Sequence, residues 1–385
     1  MDRAVFTLML CVGLIGSNGL ILAPVLADIA VEFDDGIASL ARAMSAFGAA
    51  TAITALTLGR ALDRFGCARA LRLAMVVGGL GQILAAQSGS WVGLSAAQAL
   101  TGAASGVALP AIYALTAEVS KPGQESKTMG LVVMGWSLSL VMALPLGAWL
   151  ADLYGWRMML RLIGGLCVAT IILSRHLPHG RADPVVDGTM GRFGPLFLPG
   201  GWLAYLICGL FMVCFYGSFA LTGAHAVQHF GQSTAAAGLV SMAYGLGLGA
   251  MSFAGGVIDR FGARRIRLWG FPAAAATFLF LASAPTFNSF LLGIFLWGGV
   301  NALLLNTILT GLTSLAPAAK STVMGLYSAT TYLAGAFGTA LMSQFFQKWG
   351  FYSIGVTAAA LHVLAFLLLI SFYTPPRSGN SPAQS

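Results

Sequence analysis

The sequence predicts an all-α polytopic membrane protein with twelve transmembrane helices in two six-helix pseudo-symmetric bundles, and three observations predict it. First, charged residues make up 8% of the 385-residue chain and hydrophobic residues 58%, with a mean hydropathy of +0.84. Soluble domains carry about 25% charged residues, so no charged coat can be assembled from this composition. Second, apolar windows of about 20 residues, enough to cross a bilayer as a helix, recur along nearly the whole chain, and the short alternating segments of a β-barrel are not visible. Third, Gly59-Arg60-Ala61-Leu62-Asp63-Arg64-Phe65-Gly66 nearly repeats as Gly255-Gly256-Val257-Ile258-Asp259-Arg260-Phe261-Gly262, 196 residues later.

Reading the windows in order places helices at about 4–27, 38–58, 71–89, 91–115, 127–149 and 157–174, then at about 200–222, 234–254, 267–285, 288–314, 321–345 and 351–373. The apolar run after Met1-Asp2-Arg3 is too long for a signal-peptide core and is read as the first helix. The expected organisation is a six-helix bundle over 1–174, a cytoplasmic linker over 175–199, a second bundle over 200–373 and a tail over 374–385. The linker is the longest polar stretch, with His176, Pro178, His179, Gly180, Arg181, Asp183, Pro184, Asp187 and Pro195.

The repeat extends beyond that segment. Thr128-Met129-Gly130-Leu131 pairs with Val323-Met324-Gly325-Leu326 and Gly155-Trp156 with Gly350-Phe351, each 195 residues apart, and Gly102 pairs with Gly298 at 196. A near-constant offset across several helices means two halves of like topology. An even helix number per half relates them by an axis along the membrane normal.

The net charge of +8 does not point to nucleic acid, because the charges are spread over short loops and form no basic face. With the N-terminus in the cytoplasm, 16 of the 20 Lys and Arg fall inside and 4 (Arg42, Arg157, Arg161 and Lys348) fall outside. That split follows the positive-inside rule, so both termini are expected in the cytoplasm of a multi-pass cell (inner) membrane protein. The five cysteines, odd in number and without a CxxC spacing, are not a disulfide framework.

With this topology, the segment between helices 2 and 3 resembles motif A of the major facilitator superfamily. Gly59, Asp63, Arg64, Gly66 and Arg69 match it, and Gly255, Asp259, Arg260, Gly262 and Arg265 match its second copy; Cys67 stands where a basic residue is common. In helix 5, Gly135, Pro145 and Gly147, followed by Asp152 and Gly155-Trp156-Arg157, resemble the antiporter motif of the twelve-helix drug and sugar efflux group, closest to arabinose-efflux-type permeases. The resemblance spans the whole chain. It implies a secondary transporter that moves a small organic solute by alternating access, with efflux the expected direction. It also implies that Asp63 and its repeat Asp259 act as inter-helix latches, although loop charges beside arginines need have no such role. Members carry an Arg in helix 4 that is tied to proton coupling. Here Gln98 holds that place, ahead of Leu100, Gly102 and Gly106.

No Asp, Glu or Lys lies near the middle of any assigned helix, which disfavours a cationic substrate. Arg42 and Arg161, one turn into their helices, are expected to snorkel to the surface; the alternative for Arg42 is to attract an anionic solute at the outer mouth. The remaining polar candidates are uncharged. Asn18, Gln98, Tyr113, Trp136, Tyr216, Tyr244, Asn301, Asn306, Tyr327 and Tyr332 suit a neutral, partly planar solute through stacking and hydrogen bonding. Intramembrane Asn serves equally as glue between helices. His225 and His229 fit a solvated helix end better than a metal pair, since no Cys, Asp or Glu is near in sequence, and His362 is expected to be a hydrogen-bonded structural residue. No cofactor is expected beyond coupling to a proton or other ion gradient. The expected partners are the solute and the lipid bilayer, with the protein acting as a monomer. An enzyme would need clustered acids, histidines or a nucleophile at one face, and none appear. Import of a neutral aromatic nutrient, such as riboflavin or a nucleoside-like compound, is the alternative, and a non-transporting sensor a remote one.

Overall fold

The computed structural model describes residues 2–121, 125–177, 193–252, 260–316 and 320–371, with 58–65, 117, 125–127, 130, 252 and 320–322 described by backbone alone. Among them, ten helical segments are long and apolar enough to cross a membrane. The tenth, Val323–Ser371, turns at Gly350 (φ 67°, ψ −168°) and so makes two spans. Ala263–Ala282 completes a set of twelve; Arg264, Arg265 and Arg267 in its first turns lower its hydropathy.

In chain order, α1 is Arg3–Phe33, α2 Ile37–Phe65, α3 Cys67–Ala85, α4 Trp91–Val119 and α6 Trp156–Leu173. Between α4 and α6, α5 runs from Glu125–Leu138 through a π-helical turn, Ser139–Ala143, into Leu144–Tyr154. The second half comprises α7 Gly201–Phe230, α8 Thr234–Ser252, α9 Ala263–Ala282 and α10 Phe287–Leu315. The bent helix Lys320–Ser371 supplies α11 (320–349) and α12 (351–371).

Proline accounts for two irregularities. α1 is interrupted at Ile21 because Pro24 has no N–H to donate to the carbonyl four residues back, at Leu20. The π-turn of α5 immediately precedes Pro145 and absorbs the same loss at Val141. Elsewhere the helices run further than the sequence suggested. α1 continues to Phe33 and α7 to Phe230. The expected charged loop between helices 2 and 3 narrows to Gly66, because α2 ends at Phe65 and α3 begins at Cys67. Gly66 takes φ 80° and its repeat Gly262 φ 79°, a left-handed corner that disfavours any side chain. Gly155 and Gly350 form the second such pair.

The duplication holds in the packing. α2 lies on α4 as α8 lies on α10, α3 on α6 as α9 on α12, and α1 on α5 as α7 on α11. A Cβ on Gly102 would stand 2.8 Å from Phe47 Cα of α2, and one on Gly298 would stand 3.0 Å from Leu248 N of α8. The two cores then diverge. In the first half, Gln98 donates to Gln82 (3.2 Å), Gln82 donates to Asn18 (3.2 Å) and Asn18 donates to Cys167 Sγ (3.7 Å). This buried amide ladder joins α4, α3, α1 and α6. Residues 196 further on are Cys214, Phe278 and Ile294, and the mate of Cys167 at 195 is His362. Here the interior is aromatic: His362 is 1% exposed among Phe211, Phe271 and Phe278, and its Nδ1–H donates to the Ala358 carbonyl (2.7 Å). The expected structural histidine thus faces the second bundle's interior.

The halves meet along three helix pairs. A Cβ on Gly223 of α7 would lie 2.6 Å from Pro24 Cα of α1, and one on Gly238 of α8 would lie 2.7 Å from Ala148 Cβ of α5. Gly48 of α2 sits against the Tyr332 carbonyl and Ala336 of α11. These contacts run from the end carrying Phe33, Ile37, Phe230 and Thr234 to about the helix midpoints, and that end is called the closed end below. Large apolar side chains such as Trp149, Phe337 and Leu367 point outward, as lipid-facing surface requires.

Two measurements test this packing. Gly102→Val drives a branched side chain into α2 and is expected to cost about 1–3 kcal/mol, read as a lower thermal midpoint in detergent; an unchanged midpoint would remove the close approach. Gln82→Leu strands the Gln98 amide and an Asn18 acceptor, and is expected to cost about 1–2 kcal/mol in the same assay.

Candidate substrate site between the halves

Near the Gly48 seam, aromatic side chains from both halves lie close together. Trp136 of α5 and Tyr332 of α11 lie at near-corresponding positions of the two halves, one residue off the 195-residue offset of these helices. Trp136 lies close to the Tyr113 hydroxyl of α4. Tyr332 stands beside Tyr216 of α7, ring centroids 6.4 Å apart and inclined at 41°. Tyr327, one to two turns from Tyr332 on α11, is within electrostatic reach of Tyr216 and Tyr113. Four tyrosines and a tryptophan from α4, α5, α7 and α11 therefore form one group that spans both halves.

A small pocket opens beside this group, lined by Gly19 of α1, Met44, Phe47 and Gly48 of α2, Tyr216 of α7, and Tyr332, Gly335 and Thr339 of α11. No charged side chain lines it. Its shape depends on absent side chains: a Cβ on Gly335 would meet the Tyr216 ring at 2.9 Å, and one on Gly19 would meet the Phe47 ring at 3.1 Å. The Thr339 hydroxyl donates to the Tyr216 carbonyl (3.4 Å) and ties α11 to α7 behind the ring. Aromatic faces bind a flat solute, and the phenol hydroxyls and indole N–H are donors or acceptors for its polar edge.

Of the residues read as binding candidates, Tyr113, Trp136, Tyr216, Tyr327 and Tyr332 come together here. The amides do not. Asn18 and Gln98 are consumed by the ladder inside the first half. Asn301 donates to the Tyr244 hydroxyl (3.0 Å) inside the second half, where Tyr244 packs on Trp297 and Phe215. Asn306 is exposed on α10. In a helix interior, an Asn or Gln that can reach another helix is oriented by that bond, and these amides are turned to neighbouring helices of their own half. Met44, Phe47 and Thr339 were missed, because an apolar or hydroxyl side chain in an apolar helix carries no sequence signal.

The motif residues are divided by what is described. Gly59, Asp63 and Arg64 belong to the part of α2 given by backbone alone, and Gly255 and Asp259 lie outside the described residues. Gly66 and Gly262 are the left-handed corners, while Arg69, Arg260 and Arg265 are exposed. In α5, Gly135 packs on Gly13 of α1, Pro145 lies in the seam opposite Gly238, and Gly147 packs on Ile21 and Met159. Cys67 is 2% exposed, buried as the first residue of α3.

The closed end holds polar contacts that the sequence did not reveal. Glu32 of α1 pairs with Arg157 and accepts from the Trp156 indole of α6 (2.6 Å), and Arg157 also donates to the Ser88 carbonyl (3.0 Å). Asp28 accepts from Thr234 across the halves. His225 is not a solvated helix end: it stacks on Phe351 (4.5 Å) and packs against Phe290. Arg42 is exposed over the Trp91 ring, as a snorkelling side chain would be. Among the described residues, no group of three metal-ligating side chains occurs.

Comparison with known proteins agrees with this architecture. The sequence model of the Major Facilitator Superfamily matches residues 8–224 and 202–385. A Bacillus subtilis (strain 168) protein named "Uncharacterized MFS-type transporter YwfA" is 29% identical over 367 residues, covering 93% of this chain and 89% of its own. A Pasteurella multocida (strain Pm70) protein named "Probable sugar efflux transporter" is 28% identical over 265 residues, covering 66% of this chain and 64% of its own. Among solved structures, a mutant of nucleoside transporter NupG superposes with a TM-score of 0.79 at 13% identity, over 97% of this chain and 100% of that one, a likeness of fold. The chain belongs to the Major Facilitator Superfamily: it is a multi-pass membrane transporter and not an enzyme.

Proposed function

We propose that this transporter exports a neutral, partly planar organic solute across the cell (inner) membrane by alternating access, with the solute held at the aromatic group between the halves. The observation that carries the reading is that group: Tyr113, Trp136, Tyr216, Tyr327 and Tyr332 from four helices of both halves, beside a pocket without a charged lining. A site shared by both halves changes its access when they rock, which is the geometry alternating access needs. The ring faces suit a flat solute, and the pocket lining has no carboxylate, the usual counter-charge for a cationic one.

The direction rests on the helix 5 resemblance and on the names of two relatives, the sugar efflux transporter and a "Multidrug resistance protein B homolog" of Mycobacterium tuberculosis (strain ATCC 25618 / H37Rv). The aromatic lining also supports the second reading, import of a neutral aromatic nutrient such as a vitamin or nucleoside. The 16-to-4 split of Lys and Arg supports cytoplasmic termini. The closed end is then the outer one, and the arrangement is inward-facing. With Gln98 inside the amide ladder, coupling to a proton or other ion gradient runs through other groups.

Flux into sealed proteoliposomes, for a panel of neutral and anionic solutes with and without a pH gradient, tests the substrate class and direction. Tyr216→Ala and Tyr332→Ala are expected to raise KM about tenfold, the ~1.4 kcal/mol of one lost ring contact, while Tyr332→Phe keeps most of the affinity. Transport unaffected by both alanines would place the solute elsewhere. Orientation is checked with membrane-impermeant maleimide on intact cells. The native cysteines are buried and give low background, so S90C is expected to label from outside and K121C not; the reverse pattern would invert the topology.

A further inference from the structure

We propose that Asp28 of α1 and Thr234 of α8 form the latch that keeps the closed end shut, so that losing this contact biases the two halves toward separating there. Asp28 Oδ2 accepts from Thr234 Oγ1 at 2.6 Å, a bond that crosses from one half to the other 206 residues away in sequence. The seam contacts around it are apolar: Gly223 against Ala23 and Pro24, and Gly238 against Pro145 and Ala148. Apolar helix faces gain little by meeting in a bilayer, whose lipid tails are equally apolar. A charge-assisted hydrogen bond is roughly twice as strong as a neutral one, so it weighs heavily in such a seam.

The surroundings of Asp28 leave that weight on Thr234. Glu32, one turn along α1, is neutralised by Arg157 of α6. Among the described residues, no cation pairs with Asp28. The charge within its electrostatic reach is Asp152 of α5, another acid, and α8 carries no charged residue along its length. On α7, His225 stacks on Phe351 and His229 stacks on His225; on α2, Arg42 lies over Trp91. The half-buried carboxylate is thus held by a neutral hydroxyl at the first residue of α8, where the helix's positive end favours an anion. The closed state sets this bond against repulsion from Asp152. Separation would release both acids into water, so the contact is a shallow latch on two rigid halves.

The test reads the opening of the closed end without substrate and without reference to membrane side, so its failure is separable from failure of the transport reading. Spin labels are placed at Ser90, between α3 and α4, and at Asn288, near the start of α10; both are exposed at the closed end, one per half. The full chain is reconstituted in nanodiscs and the inter-label distance distribution measured by pulsed electron spin resonance. Asp28→Asn and Thr234→Val are each expected to raise the longer-distance population about threefold, and Thr234→Ser, which keeps the hydroxyl, is expected to match wild type. A distribution unchanged by both Asp28→Asn and Thr234→Val would overturn the latch. So would Thr234→Ser opening the end as far as Thr234→Val does, since packing of the threonine methyl and not the hydroxyl would then hold the seam.

Discussion

Close backbone approach at glycine is the constraint on which the rest of this structure depends. In water, helices associate by removing apolar surface from solvent; in lipid that gain is nearly absent, and packing contact must supply the attraction. Gly223 brings α7 onto the backbone of Ala23 and Pro24, Gly238 brings α8 onto α5, and Gly48 brings α2 onto α11. The same device builds each half, at Gly102 and Gly298. The 49 glycines of the chain are therefore distributed between holding bundles together and giving two bundles a smooth face on which to move.

Within that shared frame the halves have taken different chemistry into their interiors. The first is stitched by amides from Asn18, Gln82 and Gln98 to Cys167; the second is packed with phenylalanines around Cys214 and His362 at the equivalent positions. A satisfied amide ladder fixes register because a shifted helix would strand its donors. An aromatic interior depends on shape alone and tolerates small displacement. The aromatic group between the halves is likewise uneven, with Tyr113 and Trp136 from the first half and Tyr216, Tyr327 and Tyr332 from the second.

Charge is scarce, and it is concentrated where it acts on the relation between halves or on the membrane surface. Glu32 and Arg157 tie α1 to α6 within one half, whereas Asp28 reaches across to Thr234. With Gln98 in the ladder, the pocket between the halves is lined by ring faces, a hydroxyl and apolar groups, and on the proposed function recognition would fall to these.

Much of the fold was legible in the sequence by itself. Hydropathy marked the spans, and the 196-residue offset of Gly66 and Gly262 announced a duplication whose corners take nearly the same φ. These features are local or periodic: a helix in lipid must satisfy its own backbone, and a left-handed corner needs glycine wherever it falls. The site was legible only in part. Tyr113, Trp136, Tyr216, Tyr327 and Tyr332 could be named, but so could Asn18, Gln98, Asn301 and Asn306, and sequence has no means of separating a side chain that faces the axis from one turned to a neighbouring helix. Nor could it show that Asp28 meets a threonine 206 residues away, or that His225 stacks on Phe351. Those pairings were decided by the tertiary structure, because helix rotation and the approach of one half to the other set which polar atoms meet, and neither leaves a period in the chain.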